Sequence, residues 1–193
     1  MKTLALAAAE AGDQAEGRDT MIEAARSGDA ATFDLLMRRY ERMVLGTAYR
    51  LAGNIEDAED ASQEVFLRLY RNLARLDSVN LAAWLYRVTV NVCHDARRRR
   101  ANTVPVEDAP EVAAAGDPQQ FAREAERRSL LLRSLRTLSE KERAALVLRD
   151  LEGLSTTEVA GVLGSKVATV RSQISKARLK MRDFVERNSR RRI

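Results

Sequence analysis

The chain of 193 residues is poor in the side chains that form covalent cross-links, bind metals or perform catalysis. It contains one cysteine (Cys93), one histidine (His94) and three prolines, and only 5% of its residues are aromatic. A single cysteine excludes an internal disulfide, and Cys93 with His94 cannot supply the four ligands of a zinc site. No carboxylates, histidines or cysteines are spaced as a catalytic cluster. We therefore expect no enzymatic activity, no metal and no cofactor. We interpret Cys93 as a packing residue, and the alternative is a redox sensor.

Long hydrophobic runs are also missing. Residues 1–12 faintly resemble a signal peptide, but their apolar core, Leu4–Ala9, is shorter than an ordinary secretory core. No stretch approaches the length that spans a membrane. These features predict a cytoplasmic protein without membrane insertion, which begins with a flexible tail over residues 1–18.

The abundant residues are alanine, leucine, arginine and glutamate, all of which favour helix. We predict an all-α protein of two small helical domains joined by a flexible acidic linker. All three prolines and four acids, but no base, fall between Val104 and Gln120, a composition typical of a linker. The predicted boundaries are a four-helix domain at 19–100, the linker at 101–118, a helix-turn-helix domain at 119–187 and a flexible basic tail at 188–193. Asp29 and Asn54 are predicted to cap two helices of the first domain, and Ser139 with Glu142 is predicted to form a capping box that begins a helix through Arg149.

Charge is unevenly distributed along the chain. The net charge is +5, yet Asn54–Leu67 carries five acids and no base, whereas Arg171–Ile193 carries nine bases and two acids. Arg97–Arg100 is a run of four arginines. Such segregation predicts at least two different partners, one of which is a polyanion.

The segment Gly153–Met181 has the pattern of a helix-turn-helix. Ser155 and Glu158 form a capping box at the start of one helix, and Gly164 suits the left-handed turn that ends it. The second helix combines an apolar stripe with outward Arg, Lys, Ser and Gln, which are side chains that bind phosphates and base edges. The alternative is a solvated amphipathic helix in an ordinary bundle.

Three ordered blocks of this sequence are specific: DAEDASQEVFLRLYRNL (Asp57–Leu73), AWLYRVTVNVCHDARRR (Ala83–Arg99) and the segment Leu135–Met181. Together they resemble the extracytoplasmic-function (ECF) group of the sigma-70 family of bacterial RNA polymerase sigma factors. The first block resembles the conserved helix of region 2, the second resembles the promoter-melting helix, and the third resembles region 4. The resemblance implies a transcription initiation factor that binds core RNA polymerase and promoter DNA.

By this resemblance, the acidic helix docks on the β′ clamp helices of the polymerase, and the β flap is a second contact. The implied polymerase-binding residues are Asp57, Asp60, Gln63, Glu64 and Leu67. Acids suit a cationic protein partner and would repel DNA. The alternative is a solvated acidic face, which the dipole near a helix N-terminus favours in any case.

The resemblance also implies a set of residues that capture the −10 element. Asp77, Ser78 and Asn80 supply polar groups in a loop, Asn91 matches a base-reading asparagine, and arginines bind phosphates. Trp84 is either a stacking platform or a core residue, and its place in the apolar stripe favours the core. The implied −10 residues are Asp77, Ser78, Asn80, Trp84, Arg87, Asn91, Arg97 and Arg98.

The −35 element is expected in the major groove against the second helix of the helix-turn-helix. The sequence departs from the usual family pattern at Lys166, Ala168 and Gln173, and we interpret Gln173 as a base-facing residue that alters base preference. The implied −35 residues are Lys166, Thr169, Arg171, Ser172, Gln173, Ser175, Lys176 and Arg178.

The family implies an anti-sigma factor as a regulatory partner, and the acidic linker is either a mimic of nucleic acid inside the polymerase or a spacer. The rival function is an autonomous helix-turn-helix regulator that binds operator DNA without polymerase. Such a regulator would not need the acidic helix or the Trp84–Asn91 block.

Overall fold

In the computed structural model, residues 21–76, 81–101 and 118–190 are described, and every regular element within these ranges is helical. The all-α prediction is confirmed for this part of the chain. The elements are α1 (21–26), α2 (Ala30–Ala52), α3 (Ile55–Asn72), a 3₁₀ turn (Leu73–Arg75), α4 (Leu81–Ala101), α5 (Pro118–Arg136), α6 (Glu140–Leu146), a π-helical turn (Val147–Leu151), α7 (Thr156–Leu163) and α8 (Val167–Arg190). None of the described helices is long and apolar enough to cross a membrane.

Local capping sets the helix boundaries, as the sequence predicts. The Asp29 carboxylate accepts a hydrogen bond from the Ala31 amide at 3.0 Å and begins α2. Gly53 ends α2 with a φ of 91°, a left-handed conformation that strains other residues. Asn54 begins α3 by accepting from the Asp57 amide at 2.8 Å. These caps confirm the predicted starts of α2 and α3.

The first domain packs α2, α3 and α4 around one apolar core. Leucine, valine and alanine at helical spacing face inward, and the Thr89 hydroxyl donates to the Leu85 carbonyl at 2.8 Å within this core. The residues with no exposed surface include Leu36, Val44, Ala48, Ala58, Val65, Leu69 and Leu85. Cys93 is also buried, and burial raises the pKa of its thiol to about 12, as expected for a packing residue.

The second domain contains the predicted helix-turn-helix. Capping boxes at Ser139 and Ser155 begin α6 and α7, and Gly164 joins α7 to α8 with a φ of 58°. These three local predictions are confirmed. The predicted helix through Arg149 is not continuous, because α6 ends at Leu146 and the π-helical turn Val147–Leu151 follows it.

The two domains pack against each other. A single cluster of buried apolar residues includes Leu36, Leu51 and Leu85 of the first domain together with residues of α5, α6, the π-helical turn and α8. The buried members from the second domain are Leu135, Leu138, Ala144, Leu146, Val147 and Ala177. The sequence predicted two domains but not this shared core.

A buried arginine joins the two domains at the centre of this contact. Arg143 is 3% exposed, and its guanidinium donates to the carbonyls of Leu135 at 2.8 Å and Leu138 at 3.3 Å. Across the interface, the same guanidinium donates to the carbonyl of Leu51 at 2.9 Å. Burial and the nearby Arg97 lower the pKa of Arg143 to about 10.

Two predicted boundaries differ from the structure or lie outside it. Helix α8 continues through Arg190, so Asn188 is helical although the sequence predicted a flexible tail from that position. The predicted first tail, 1–18, and most of the predicted linker, 102–117, lie outside the described residues.

We expect Arg143→Met to lower the free energy of unfolding by about 3 kcal/mol. The substitution roughly preserves side-chain volume but leaves several buried carbonyls without their donor. Urea denaturation measures the change. Arg128→Met, at an exposed position on α5, is the matched control and should change the stability by less than about 0.5 kcal/mol. A loss for Arg143→Met as small as that of the control would contradict the assigned role.

Candidate polymerase and DNA interfaces

Helix α3 presents four of the five predicted polymerase-binding residues on accessible surface. Asp60 and Gln63 are exposed, and Leu67 has 49% of its surface exposed although it is a large apolar residue. Glu64 forms an ion pair with Arg68, one helical turn later, at 2.7 Å. This face therefore combines acids with an exposed leucine, which is the chemistry of a protein-binding surface rather than of a DNA-binding surface.

Asp57 is partly exposed and lies two helical turns before Glu64, within about 20° of it around α3. Its carboxylate accepts a hydrogen bond from the side-chain amide of Asn54 at 2.7 Å. It lines a small recess between the two domains, together with Cys93, Arg97 and Arg136. In this arrangement Asp57 contributes to the helix start and to the domain contact.

The α3 surface has an apolar extension that was not predicted from the sequence. Tyr70 is 68% exposed and makes an edge-to-face contact with Phe33 of α2 at 5.3 Å between ring centroids. Leu35 of α2 is also 56% exposed, but it lies about 160° around that helix from Phe33. Both exposed residues stand outside the apolar stripes of their helices. That position is the signal that would have indicated a partner.

The predicted −10 residues on α4 have different environments. Asn91 and Arg98 are exposed, whereas Trp84 is partly buried against the core, which supports its interpretation as a packing residue. Arg87 donates hydrogen bonds to the carbonyls of Val162 at 3.2 Å and Gly161 at 2.5 Å. These carbonyls lie in the last turn of α7, where the helix dipole favours a cation. Asp77, Ser78 and Asn80 lie outside the described residues.

Arg97, another predicted −10 residue, also contacts the other domain. Glu140, at the start of α6, lies 2.6 Å from Nε2 of His94 and 3.7 Å from Nε of Arg97. Arg87 and Arg97 are therefore both occupied by the second domain in this arrangement. Neither guanidinium is fully available to phosphates until the domains separate.

Glu152 makes a third polar contact between the domains. Its carboxylate pairs with Arg50 of α2 at 2.7 Å and accepts a hydrogen bond from the Tyr86 hydroxyl at 3.4 Å. The Glu152 side chain is only 10% exposed. Burial, with the adjacent Glu152 charge, raises the pKa of Tyr86 to about 12.

The second domain carries an open groove rich in arginine. It is lined by Arg149, Thr156, Arg171, Ile174, Ser175, Arg178, Leu179 and Arg182. Three of these, Arg171, Ser175 and Arg178, are predicted −35 residues. Arg149 and Thr156 were missed because they are adjacent to the groove only after the π-helical turn, α7 and α8 pack together. Arg182 was also missed, although it lies one turn after Arg178 on α8 and helical spacing would have indicated it.

The remaining −35 candidates lie elsewhere on the helix-turn-helix. Lys166, Thr169, Ser172 and Lys176 are exposed. With about 100° of rotation per residue, the last three lie roughly 100° to 160° around α8 from Arg171.

Gln173 is partly buried, and its Oε1 atom has no hydrogen-bond partner among the described residues. It lies about 200° around α8 from Arg171. The groove and Gln173 are therefore on opposite sides of the helix.

Comparison with known proteins assigns both domains. Residues 36–103 match the family model for sigma-70 region 2, and residues 128–181 match the model for sigma-70 region 4. The RNA polymerase sigma-H factor of Pseudomonas aeruginosa is 34% identical over 171 residues, which cover 82% of this chain and 88% of that protein. The chain belongs to the ECF group of the sigma-70 family. The ECF sigma-E factor of Escherichia coli is 32% identical, with the same coverage of both chains.

One of the relatives is longer than this chain, although it matches a similar share of it. The ECF RNA polymerase sigma factor SigE of Mycolicibacterium smegmatis is 34% identical over 84% of this chain, but the chain spans only 66% of that protein.

Solved structures agree with the sequence comparison. CnrH, in complex with the cytosolic domain of CnrY, matches 88% of this sigma factor and 97% of its own chain, with 25% identity and a TM-score of 0.65. The sigma factor SigJ of Mycobacterium tuberculosis matches 74% of this sigma factor and 50% of its own chain, with 28% identity and a TM-score of 0.52. Within the described residues, no three His, Cys, Asp or Glu side chains are grouped to hold a metal ion.

We expect Glu152→Lys to separate the two domains. The substitution places a cation beside Arg50 and removes the acceptor of Tyr86, so a polar contact becomes a repulsive one. Small-angle X-ray scattering of the full chain should show a larger radius of gyration. Glu186→Lys, the same charge reversal at an exposed position of α8, should leave the radius unchanged. Equal radii for both variants would mean that Glu152 does not hold the domains together.

Proposed function

We propose that this chain binds core RNA polymerase and directs it to promoters, with its first domain on the −10 element and its second on the −35 element. The observation that carries the proposal is that one molecule combines the accessible α3 face, at Asp60, Gln63, Glu64 and Leu67, with the arginine groove of the helix-turn-helix. Family membership supports the polymerase as the partner of the first surface. An autonomous operator-binding regulator has no use for that surface.

The polymerase contact is proposed for the β′ clamp helices, with the β flap as a second contact. The α3 face suits a cationic protein surface because its acids are accessible and Leu67 is exposed between them. The exposed Tyr70, one helical turn after Leu67 on α3, extends the apolar part of the same surface. We therefore add Tyr70 to the proposed docking surface.

Promoter binding by both domains requires the contact between them to open. Arg87 and Arg97 now bind the second domain, so phosphate contacts by these residues must compete with the contacts to Val162, Gly161 and Glu140. We propose that binding to polymerase supplies the free energy for this opening, since it favours the open conformation selectively.

An anti-sigma factor is a second proposed partner. The related CnrH was solved in complex with another protein, the cytosolic domain of CnrY, which supports a protein partner that binds this chain directly. The closed arrangement of this chain already occupies Arg87 and Arg97. A partner that bridges the two domains would stabilise the same arrangement and oppose promoter binding.

Run-off transcription with purified core polymerase on a promoter pool tests the proposal directly. We expect transcripts with the wild-type chain and none with Glu64→Lys, because the reversed charge next to Arg68 removes an acid from the docking surface. A pull-down with core polymerase should show the same loss. Glu186→Lys is the charge-matched control and should retain both activities. Retained binding by Glu64→Lys would exclude this docking surface.

We expect Arg171→Ala to weaken binding of the holoenzyme to promoter DNA and to lower the salt slope of binding by about one. Arg171 lines the groove and has no ion-pair partner among the described residues, so its charge is available to DNA. Affinity measured over a salt series gives the slope. Arg187→Ala removes the same charge near the far end of α8 and should leave the slope unchanged. An unchanged slope for Arg171→Ala would exclude its proposed phosphate contact.

A further inference from the structure

Four arginines line the open groove of the second domain, which we call the −35 groove, and they are not equivalent. Arg149, Arg171 and Arg182 form no ion pair within 21–76, 81–101 and 118–190. Arg178 instead binds the carboxylate of Asp150 through two nearly parallel hydrogen bonds, from Nε at 2.8 Å and from Nη2 at 2.6 Å. These hydrogen bonds to the Asp150 carboxylate raise the pKa of Arg178.

The geometry leaves part of Arg178 free to bind a ligand. A guanidinium has five N–H donors, and the carboxylate uses one on Nε and one on Nη2. Two donors on Nη1 and one on Nη2 remain, and they form the other edge of the same planar group. The Arg178 side chain is 58% exposed. It is therefore held on one edge and accessible to an acceptor on the other.

The π-helical turn places Asp150 where it reaches α8. In this turn the Glu152 amide donates to the Val147 carbonyl at 3.0 Å, five residues earlier, while Val147 and Leu148 are buried in the core. The wider turn rotates the following residues by roughly 100° relative to a continuous α-helix. Asp150 thereby pairs with Arg178 across the domain, while Glu152 points to Arg50 of the other domain.

We propose that Asp150 is a positioning residue that makes the −35 groove selective, and this inference rests on the proposed function. Fixing the Arg178 guanidinium lowers the entropy that is lost when it binds an acceptor in the correct position. The carboxylate also offsets one positive charge of the groove, which weakens attraction to phosphates in any register. Both effects increase the difference between promoter DNA and other DNA.

A salt bridge that only joins the π-helical turn to α8 would have a different signature. Its loss would lower stability and weaken binding to every duplex alike. If Asp150 positions Arg178, the loss of Asp150 should strengthen binding to unrelated DNA. It should also lower the ratio of the affinity for promoter DNA to the affinity for unrelated DNA. The ratio therefore separates the two roles.

The experiment uses the complete chain in complex with core polymerase and two labelled duplexes. One duplex carries a −35 sequence selected from a random pool by the wild-type holoenzyme, and the other is its scrambled form. For Asp150→Asn we expect about a fivefold gain in affinity for the scrambled duplex, a salt slope higher by about one, and about a fivefold loss in the affinity ratio. Asp150→Glu, which keeps the carboxylate, should recover part of the ratio.

A second pair of variants tests whether Asp150 acts through Arg178. In an Arg178→Met background, Asp150→Asn should no longer change the ratio. Additive effects of the two substitutions would overturn the positioning role, because Asp150 would then act only as a general charge. Glu186→Gln removes an exposed acid of α8 outside the groove and should leave the ratio as in the wild type.

The outcomes also separate this inference from the proposed function. A wild-type holoenzyme that fails to prefer any −35 duplex would contradict the proposed function itself. If the wild-type holoenzyme instead prefers its selected duplex while Asp150→Asn leaves the ratio of the two affinities unchanged, that result would overturn only the role of Asp150. Thermal unfolding of each variant confirms that the compared proteins are folded.

Discussion

The buried guanidinium of Arg143 is the interaction on which the arrangement of the two domains depends. It donates to carbonyls at the end of α5, in the turn before α6, and near the end of α2 in the other domain. Carbonyls at helix ends lack intrahelical donors, and the negative end of the helix dipole favours a cation there. One side chain thus satisfies several groups that burial would otherwise leave unpaired. The cost of removing the charge from water is visible in its pKa of about 10.

Around Arg143, the domain contact has an apolar centre and a polar rim. The centre is the shared cluster that contains Leu51, Leu135 and Leu146. The rim contains the Arg50–Glu152 pair and the contact of Arg87 with the end of α7. The exposed contact of Arg87 contributes little net stability, because water competes for the same groups. The Glu152 carboxylate is only 10% exposed, and a cation in its place would be repelled by Arg50. The centre and the Arg50–Glu152 pair therefore hold the domains together, while the Arg87 contact fixes their orientation and occupies a cation that DNA would need.

The polar rim of the domain contact explains how a cationic DNA-binding protein can keep some of its arginines from binding DNA. Arg87 binds carbonyls of α7, and Arg97 lies near Glu140. A phosphate would compete with both of these partners. Binding to non-specific DNA must displace these partners, whereas a promoter held by polymerase offers both elements at once. The second contact is then effectively intramolecular and is favoured by its high effective concentration.

The features that sequence alone predicted are those that depend on near neighbours. The caps at Asp29, Asn54, Ser139 and Ser155 need only a side chain and an amide two or three residues away. The π-helical turn and the domain contact could not be predicted in this way. The partners of Arg87 lie 74 and 75 residues away along the chain, and no local pattern encodes that pairing.

Gln173 of α8 is a second feature that the local sequence pattern did not predict correctly. Its substitution for a frequent arginine suggested a base-facing residue, but Arg171, Ser175, Arg178 and Arg182 lie within about 60° of one another on α8, and Gln173 lies on the opposite side. A buried amide oxygen without a donor costs roughly 1–3 kcal/mol. We therefore expect Gln173 to influence the packing of α8 more than base choice. An arginine at this position would not have joined the groove either, because it would lie on the opposite side of α8.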